Sequence, residues 1–318
     1  MPISQATFPP DSASPGAPTS PFASDVSLCV LASSSSGNCT VLRWRENGSP
    51  RACLIDAGLS PKKTKSWLRG VGTNLAQVDT IILTHLDRDH CHMGWTGGRV
   101  PPHITLRMHG RHLGRAEREG LLHHRTLPFR DTLELSPAVR ARCVMMSHDE
   151  LGVASFRFEF ATGPDGTKAV SLGFATDLGR VTDDLIACMA GVDVLAVESN
   201  YCPAMQAESD RPAFLKRRIT GGRGHLSNHE CVDAITRIAP REHVVFLHLS
   251  RECNHPNLVA DLHRGADYTC TIAHADKPTR WITVGSSAGS RARDPVMWNV
   301  PPVVVPSTPL LFEPVAAS

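Results

Sequence analysis

The sequence predicts an α/β fold in which sheets and helices form layers. Short apolar runs rich in β-branched residues alternate with helical stretches along most of the 318 residues, which is the pattern of layered α/β proteins. Several apolar runs also end in His, Asp or Glu, so the ends of the predicted strands carry polar groups. Between the chain ends there is no internal repeat and no linker-like stretch, and we therefore expect one domain over residues 26–292.

The individual elements are predicted from the spacing of apolar residues and from helix-boundary signals. Strands are predicted at residues 26–32, 52–55, 80–83, 156–160, 170–175, 192–197 and 243–247. Two helices are predicted at residues 61–70 and 183–190. A third helix should begin at Ser227, where the run SNHE forms a capping box with Glu230, and should stop at Pro240.

The two chain ends are predicted to lie outside this domain. Residues 1–25 are rich in Pro, Ser and Ala without a period, which is typical of a disordered tail. Residues 293–318 contain the run PPVVVPSTPLLFEP, whose prolines are incompatible with a regular helix or a central strand. We therefore expect two tails that flank the domain.

Composition indicates a globular protein and excludes few functions. Apolar residues make up 41% of the chain and charged residues 20%, which is ordinary. The formal net charge of +2 is too small for a broad basic surface, so any site for a polyanion must be a local cluster. The ten cysteines are scattered without a C-x-x-C pair, and we see neither a signal peptide nor an apolar run of membrane-spanning length. A cytoplasmic protein is the expectation.

Five predicted strands end in a side chain that could hold a metal or a proton. In each case an apolar residue near the end of the strand is followed by the polar one: Ile55 by Asp56, Leu83 by His85, Ala175 by Asp177, Val197 by Glu198, and Leu247 by His248. Loops that leave one edge of a sheet bring their side chains together on a rigid support. Polar residues must follow strands in any protein, but five such endings favour a shared functional rim.

The segment from Thr84 to His90 reads THLDRDH and carries four possible metal ligands. As the chain leaves a strand, His85 and Asp87 share one side by two-residue alternation, whereas Asp89 and His90 can turn towards a second point. A hydrolytic pair of metal ions needs this arrangement, because the two ions must be adjacent to share a bridging hydroxide. A solvated polar loop is the alternative interpretation.

An H-x-[HD]-x-D-H motif after an apolar strand resembles the signature of the metallo-β-lactamase superfamily. Later parts of that signature also occur in order over residues 28–255, in the runs SHD, ATDLG and LHLS. The resemblance implies a four-layer αββα sandwich with two divalent metal ions at one edge. It implies that one ion is held by His85, Asp87 and His148, that the other is held by Asp89, His90 and His248, and that Asp177 bridges the two.

One ligand departs from the superfamily pattern, which usually has a histidine where this chain has Asp87. A carboxylate oxygen is a harder ligand than an imidazole nitrogen, so zinc still fits while manganese or iron becomes more favourable. The neighbouring His92 could supply an imidazole in place of Asp87, and the sequence leaves this alternative open.

A closer resemblance is to the YycJ/WalJ-like subgroup, bacterial proteins linked to DNA processing and nuclease activity. The matching segments are SSSSGN at 33–38, DAGLS at 56–60, ESN at 198–200, GHLSN at 224–228 and HLS at 248–250. Where the subgroup generally resembles THEHSDH followed by an apolar helix, this chain has THLDRDHCHMGW. The resemblance implies a nucleic acid as the substrate.

A glycine-rich run, GGRGHLSN at residues 221–228, leads into the N-terminus of the third predicted helix. Free backbone N–H groups and the helix dipole favour an anion there, so Arg223, Ser227 and Asn228 are predicted to bind the substrate. His225 is predicted to be catalytic, either as the proton donor to a leaving oxygen or as a phosphate ligand. The alternative is a flexible turn whose serine only caps the helix.

Three further predictions concern charge and orientation around the metals. Basic residues at 216–218 add the local positive charge that the whole chain lacks. Asp89 is predicted to be catalytic as well as a ligand. Asp56 is predicted to orient the ligand loop through hydrogen bonds, without binding a metal itself.

These features predict a hydrolase that depends on two metal ions and acts on DNA or RNA as a phosphodiesterase or nuclease, through a metal-bridging hydroxide. Zinc is the expected metal, with manganese or iron as alternatives. The same core could instead hydrolyse a small molecule such as a cyclic nucleotide, a phosphonate, a lactone or a thioester. A third hypothesis is a non-catalytic binding protein that keeps its metal for stability. No membrane partner is expected, and the oligomeric state is left open.

Overall fold

The computed structural model describes residues 22–163 and 168–285, which form fourteen strands and seven α-helices joined by loops and short 3-10 and π turns. The strands are β1 (Ala23–Ala32), β2 (Cys39–Glu46), β3 (Ser49–Ile55), β4 (Val78–Leu83), β5 (Thr105–His109), β6 (Thr126–Phe129), β7 (Thr132–Ser136), β8 (Val139–Met146), β9 (Val153–Thr162), β10 (Lys168–Ala175), β11 (Val194–Glu198), β12 (His243–Leu247), β13 (Thr269–Ile272) and β14 (Ile282–Thr283). The helices are α1 (Pro61–Gly70), α2 (Leu113–Arg118), α3 (Asp183–Met189), α4 (Pro203–Glu208), α5 (Ala213–Arg218), α6 (Asn228–Ile238) and α7 (Pro256–Leu262).

The strands form one hydrogen-bonded ladder that divides into two halves. The first half has the order β14-β1-β2-β3-β4-β5-β6, and the second has the order β7-β8-β9-β10-β11-β12-β13. The halves are joined by one aligned residue pair, Ala23 on β1 and Thr162 on β9. Because so little of the ladder is shared, the two halves act as separate sheets.

Separate apolar cores show how these sheets and the helices are layered. Successive side chains of a strand point to opposite faces, and β1 accordingly sends Leu28 into one core and Leu31 into another. The core of Leu28 also contains Phe156 of β9, so it lies between the two sheets. The core of Leu31 includes Leu68 of α1, and a third core places Ile235 of α6 against the second sheet. The layers are therefore helix, sheet, sheet and helix, as the αββα expectation requires.

Every predicted strand and helix is present, although boundaries differ by a few residues. Helix α6 ends at Ile238, two residues before Pro240, because Ala239 adopts a left-handed backbone with φ of 52°. The sequence pattern did not indicate β2, β5–β8, β13, β14 or the short helices α2, α4, α5 and α7. These four helices have only six or seven residues, which is too short for a periodic apolar pattern.

The predicted N-terminal tail, 1–25, is wrong at its last residues. Ala23 is buried and pairs with Glu46 of β2, so β1 begins three residues before the predicted domain. The backbone at Asp25 is left-handed, with φ of 51°, and this interrupts the alternation of side chains. The sequence pattern therefore does not show that the strand begins before residue 26. The rest of that tail and all of residues 293–318 lie outside the described residues. None of the described helices is long and apolar enough to cross a membrane.

Parallel pairing aligns the carboxyl ends from which the polar side chains emerge. Strand β3 runs parallel to β4, and β10, β11 and β12 run parallel to one another. Ile55 pairs with Ile82, so Asp56 leaves the first sheet close to the loop that follows β4. Glu198 pairs with Leu247, the residue before His248. The carboxyl ends of parallel strands thus form the predicted rim, which is where sites of layered α/β proteins usually lie.

Candidate metal centre

A buried carboxylate holds the ligand loop that follows β4. Asp56, which comes directly after β3, is only 1% exposed. Its Oδ1 accepts hydrogen bonds from the backbone N–H and the hydroxyl of Thr84 at 2.8 and 2.9 Å. Its Oδ2 lies 2.7 Å from Nδ1 of His90. A carboxylate on one ring nitrogen fixes the orientation of a histidine that binds a metal through the other.

The serine-rich turn after β1 packs against the same loop. The backbone N–H of Asn38 donates to the carbonyl oxygen of Asp89 at 2.6 Å, and its side-chain nitrogen lies 2.9 Å from Nε2 of His90. Gly58 permits this close approach, because a Cβ there would lie 1.7 Å from the carbonyl oxygen of Asp89. The segments SSSSGN and DAGLS therefore shape the ligand loop through their backbone.

His85, Asp87 and His148 form the first group of possible ligands. The Nε2 atoms of His85 and His148 lie 3.8 and 3.9 Å from Oδ2 of Asp87. The other oxygen, Oδ1, accepts a hydrogen bond of 2.9 Å from Nη1 of Arg115 on α2, and Nη2 of Arg115 donates to the carbonyl oxygen of Leu86 at 2.8 Å. Arg115 thus leaves Oδ2 as the oxygen close to both imidazoles.

His92 does not join this group. Its Nδ1 accepts the backbone N–H of Gly94 at 2.8 Å, and its side chain caps the short 3-10 turn that follows. The geometry therefore favours Asp87 over His92 as the ligand.

Asp89, His90 and His248 form the second group, and Asp177 contacts both of its histidines. Oδ2 of Asp89 lies 3.5 Å from Nε2 of His90 and 3.5 Å from Nε2 of His248. Oδ2 of Asp177 lies 2.7 Å from Nε2 of His90, and its Oδ1 lies 3.0 Å from Nδ1 of His248. Asp177 also groups with His85. It therefore lies between the two sets of ligands.

Glu198 belongs to the centre, although the predicted site omitted it. It is fully buried at the end of β11. Its Oε1 lies 2.7 Å from Nδ1 of His225 and 3.1 Å from Nδ1 of His248, and its Oε2 accepts the backbone N–H of Leu178 at 2.8 Å. The available signal was the apolar strand that ends in this carboxylate. Nothing local indicated its histidine partners, which are 27 and 50 residues away.

Three residues of the centre have a left-handed backbone conformation, which residues other than glycine rarely adopt. The φ angle is 63° at Asp56, 53° at Asp177 and 55° at His248. Such conformations cost about 1–3 kcal/mol each and cluster at functional sites. At His248 the backbone is held on both sides, since Ser33 Oγ accepts its N–H at 2.8 Å and Asn200 Nδ2 donates to its carbonyl oxygen at 2.7 Å.

The buried histidines of the centre differ in charge. Burial lowers the pKa of His85 well below its ordinary value, and His90 adds to this effect. Burial opposes charge on His90 and His248 as well, but the surrounding carboxylates together outweigh it and raise both pKa values well above the ordinary range: Asp177 and Asp56 act on His90, and Asp177, Asp89 and Glu198 act on His248. Burial would raise the pKa of Asp177, yet His248 and His90 hold it well below its usual value. Protons and a cation therefore compete for the same ring nitrogens.

The chemistry and spacing of these residues fit divalent cations. Nε2 of His85 and Nε2 of His248 are buried without a hydrogen-bond partner, which is costly unless a ligand satisfies them. Two ligand atoms that bind the same zinc ion, each at about 2.0–2.2 Å from it, can be no more than about 4.4 Å apart. The separations of 3.5, 3.8 and 3.9 Å within the two groups meet this condition.

A cavity of about 430 Å³ opens onto both groups. Its wall includes the side chains of Asp87, Asp89, His148, Asp177, His225 and His248, together with Arg211, Leu215 and Arg218 on and next to α5. A larger cavity of about 570 Å³ lies beside the end of α1, and none of the ligand groups found among the described residues borders it. The possible metal ligands in its wall, and not its volume, make the smaller cavity the candidate active site.

His225 lines this cavity, and the glycine-rich run places it there. Gly222 has left-handed backbone with φ of 77°, and a Cβ on Gly224 would lie 2.5 Å from Cα of Ile219. The chain can therefore fold tightly back before it enters α6. His225 keeps 22% of its side chain exposed while its Nδ1 contacts Glu198.

The three predicted substrate-binding residues do not line the cavity. Arg223 is exposed, whereas Ser227 and Asn228 are buried. The hydroxyl of Ser227 accepts the backbone N–H of Glu230, and the carboxylate of Glu230 accepts the backbone N–H of Ser227. The side-chain amide of Asn228 donates to Asn254 at 3.0 Å. The geometry gives Ser227 and Asn228 structural contacts, and their contact with substrate stays a prediction.

Known proteins resemble this chain over most of its length. It is 28% identical over 273 residues to the exodeoxyribonuclease WalJ of Streptococcus pneumoniae serotype 2, with 79% of this chain and 95% of that relative covered. It is 25% identical over 232 residues to the exodeoxyribonuclease YycJ of Bacillus anthracis, with 71% and 83% covered. The resemblance to this subgroup, predicted from short segments, is confirmed.

Structural similarity and a family match agree on the fold. The metallo-β-lactamase fold protein YhfI from Bacillus subtilis superposes with a TM-score of 0.56 at 16% identity, over 80% of this chain and 99% of that one. Identity this low shows the fold alone, and the predicted metallo-β-lactamase fold is confirmed. The family model for the beta-lactamase superfamily domain matches residues 51–249, which is more than half of the chain. This protein therefore belongs to the beta-lactamase superfamily.

Proposed function

We propose that this metal-dependent hydrolase is a phosphodiesterase that cleaves nucleic acid with the help of two divalent cations. The observation that carries the proposal is one cavity bordered both by the two ligand groups and by Arg211 and Arg218. Cations and arginines that converge on one point are suited to the negative charge of a reacting phosphate. Both named relatives are exodeoxyribonucleases, which supports DNA as the substrate.

The ligand groups assign the cations to particular side chains. We propose that His85, Asp87 and His148 hold one ion, that Asp89, His90 and His248 hold the other, and that Asp177 bridges them. Bound there, the ions would supply Lewis acidity and a water of lowered pKa as the nucleophile. Four imidazoles suit zinc, while the hard oxygen of Asp87 makes manganese the first alternative.

The remaining side chains of the centre position groups and move protons. Asp89, which is 24% exposed, is placed to accept a hydrogen bond from the attacking water as well as to bind a cation. Asp56 and Glu198 orient His90, His225 and His248. Arg211 is oriented by Glu252, whose carboxylate lies 2.9 Å from its Nε, and by hydrogen bonds to Gln206 and Ser250.

His225 is the proposed proton donor to the leaving oxygen. Glu198 contacts its Nδ1, which leaves Nε2 as the ring nitrogen available to a substrate in the cavity. Histidine is a common general acid in catalysis, and a carboxylate on one nitrogen fixes its tautomer. His225 also groups with Asp177, Glu198 and His248, with one possible ligand atom from each within 4.8 Å of the others, so metal content must be measured alongside activity.

A substrate screen on one preparation tests the proposed function. The protein is stripped with a chelator, reloaded separately with Zn²⁺ and Mn²⁺, and incubated with linear DNA, RNA, bis(p-nitrophenyl) phosphate and a lactone panel. We expect cleavage of DNA or RNA and of bis(p-nitrophenyl) phosphate only after reloading. Hydrolysis of lactones with no cleavage of any phosphodiester would contradict the proposal and favour a small-molecule hydrolase.

A further inference from the structure

Helix α5 presents an aromatic and two basic side chains beside the functional cavity. Phe214 is 67% exposed, more than any other large apolar side chain among the described residues. Arg217 and Arg218 follow it at spacings of three and four residues, which places all three side chains on one face of the helix. Arg218 also lines the cavity, so this face continues from the cavity wall onto the surface.

The opposite side of α5 fastens the helix to the domain. Ile219, directly after the helix, is buried in a small core with Tyr201 and Cys253, and Leu215 packs against the same core. The orientation of α5 is therefore set by packing, and Phe214 takes no part in that packing. A single exposed phenylalanine is common on protein surfaces. Its place next to two arginines and a ligand-lined cavity is what distinguishes this one.

The basic side chains on the exposed face have no partners within the described chain. Neither Arg217 nor Arg218 makes a hydrogen bond or an ion pair with any described residue, and both are exposed. Lys216 differs, since its Nζ donates to the carbonyl oxygen of Ala207 at 2.7 Å. The net charge of the whole chain is only +2, so positive charge is not spread over the surface. Two unpaired guanidinium groups beside one cavity therefore give a local positive potential that attracts an anion.

We propose that the exposed face of α5 binds the unpaired nucleotides next to the scissile phosphate, with Phe214 stacked on a base and Arg217 and Arg218 on backbone phosphates. This inference rests on the proposed function and specifies a single-stranded segment as the substrate. Aromatic stacking requires a base whose face is free, which bases inside a duplex lack. A cavity of about 430 Å³ is in the size range of small-ligand pockets, which suits an unpaired nucleotide at the end of a strand.

Phe214→Ala tests the stacking contact. Binding of a phosphorothioate-linked single-stranded oligonucleotide to the metal-loaded protein is measured by fluorescence anisotropy, and KM is measured on an unmodified strand. We expect affinity to fall about 5- to 150-fold, the range for the loss of one stacked base. Phe214→Tyr, which keeps the aromatic ring, should restore it. Leu262→Ala, on the exposed surface of α7, is the matched control.

Arg218→Ala tests the phosphate contact independently. We expect the slope of log affinity against log salt concentration to become shallower by about 0.7, the value for one lost contact to a single strand. An unchanged salt slope, or a Phe214→Ala protein that binds the strand as tightly as Leu262→Ala, overturns the inference. If the unsubstituted protein cleaves DNA or RNA in those cases, only the inference fails. If it cleaves neither, the proposed function itself fails.

Discussion

At the scale of single residues, Asp87 shows what the local sequence could and could not predict. Its spacing from His85 predicted a ligand after the strand, and the structure groups it with His85 and His148. The sequence did not indicate Arg115, which lies 28 residues further along in a six-residue helix without a recognisable pattern. Yet Arg115 determines which oxygen of Asp87 is available, because it hydrogen-bonds to the other.

Arg115→Ala should reduce metal binding at the first group of ligands. Without the guanidinium, Asp87 can rotate, and loss of an orienting contact typically costs about 10- to 100-fold in metal affinity. Metal content and zinc affinity are measured after dialysis against a competing chelator. Arg118→Ala, on the same helix but exposed, serves as the control.

Asp87→His adds a second check on the same group. An imidazole needs no guanidinium partner and suits zinc better than manganese, so we expect zinc preference to rise and the effect of Arg115→Ala to shrink. Equal metal loss in the single Arg115 variant and in the double variant would mean that Arg115 acts by supporting the fold alone.

His225→Ala should lower kcat on a natural phosphodiester by roughly 10²- to 10⁴-fold, the usual range for the loss of a general acid. A substrate whose leaving group needs no proton, such as one that releases p-nitrophenolate, should be affected much less. Metal content is determined on the same samples. Equal losses on both substrates would indicate binding instead of proton transfer, and loss of metal would make His225 a ligand.

At the scale of elements, strands were easier to predict than the helices around the cavity. A buried strand is recognisable in the sequence as an apolar run, and the polar residue at the end of the run indicates the edge of the sheet where the ligand candidates lie. The capping box at Ser227 likewise predicted the start of α6 from four residues. The anion site predicted at the same helix end stays a prediction, and in the structure the carboxylate of Glu230 accepts the N–H of Ser227 there.

Ser227→Ala should therefore destabilise the fold without weakening substrate binding. Loss of a serine N-cap costs about 1 kcal/mol of unfolding free energy, within a range of 0.5–2. Chemical denaturation measures the stability, and KM on an oligonucleotide measures the contact with substrate. A raised KM at unchanged stability would restore Ser227 to the substrate site.

At the scale of the whole molecule, the metal centre links distant segments whose charges depend on one another. Asp177 raises the pKa values of His90 and His248, so in the metal-free fold both stay protonated above the ordinary histidine range. Their contribution to stability is present below the unfolded pKa of about 6.5 and is lost as pH rises through the raised values. The pH dependence that Asp177 contributes has the opposite sign, because its contribution to stability is lost as pH falls through its lowered pKa.

Metal binding should release protons and strengthen with rising pH. A cation requires neutral imidazoles, so it must displace the protons on His90 and His248. Each released proton gives up to a tenfold gain in affinity per pH unit below the raised pKa. Calorimetry of zinc binding at pH 7, in two buffers of different ionisation enthalpy, counts the protons. We expect at least one per chain, and a count of zero would show that these histidines are neutral before the metal binds.

Contacts between residues that are far apart in the sequence could not be predicted from local patterns. The motif, the later single ligands and the fold were predictable because each depends on neighbouring residues or on a known order of segments. The contacts of Glu198 with His225 and His248 arise only when β11, β12 and the segment before α6 come together, and α5 reaches the cavity only in the folded domain.

Two cations at this centre are proposed to drive phosphodiester cleavage, and a metal titration measures how far cleavage depends on them. Chelator-stripped protein is titrated with Zn²⁺, and in parallel with Mn²⁺, while cleavage of an end-labelled single-stranded oligonucleotide is followed. We predict negligible cleavage without metal and full activity at two equivalents per chain, with Asp177→Asn inactive throughout. Full cleavage by the stripped protein, or none by the fully loaded one, would contradict the account.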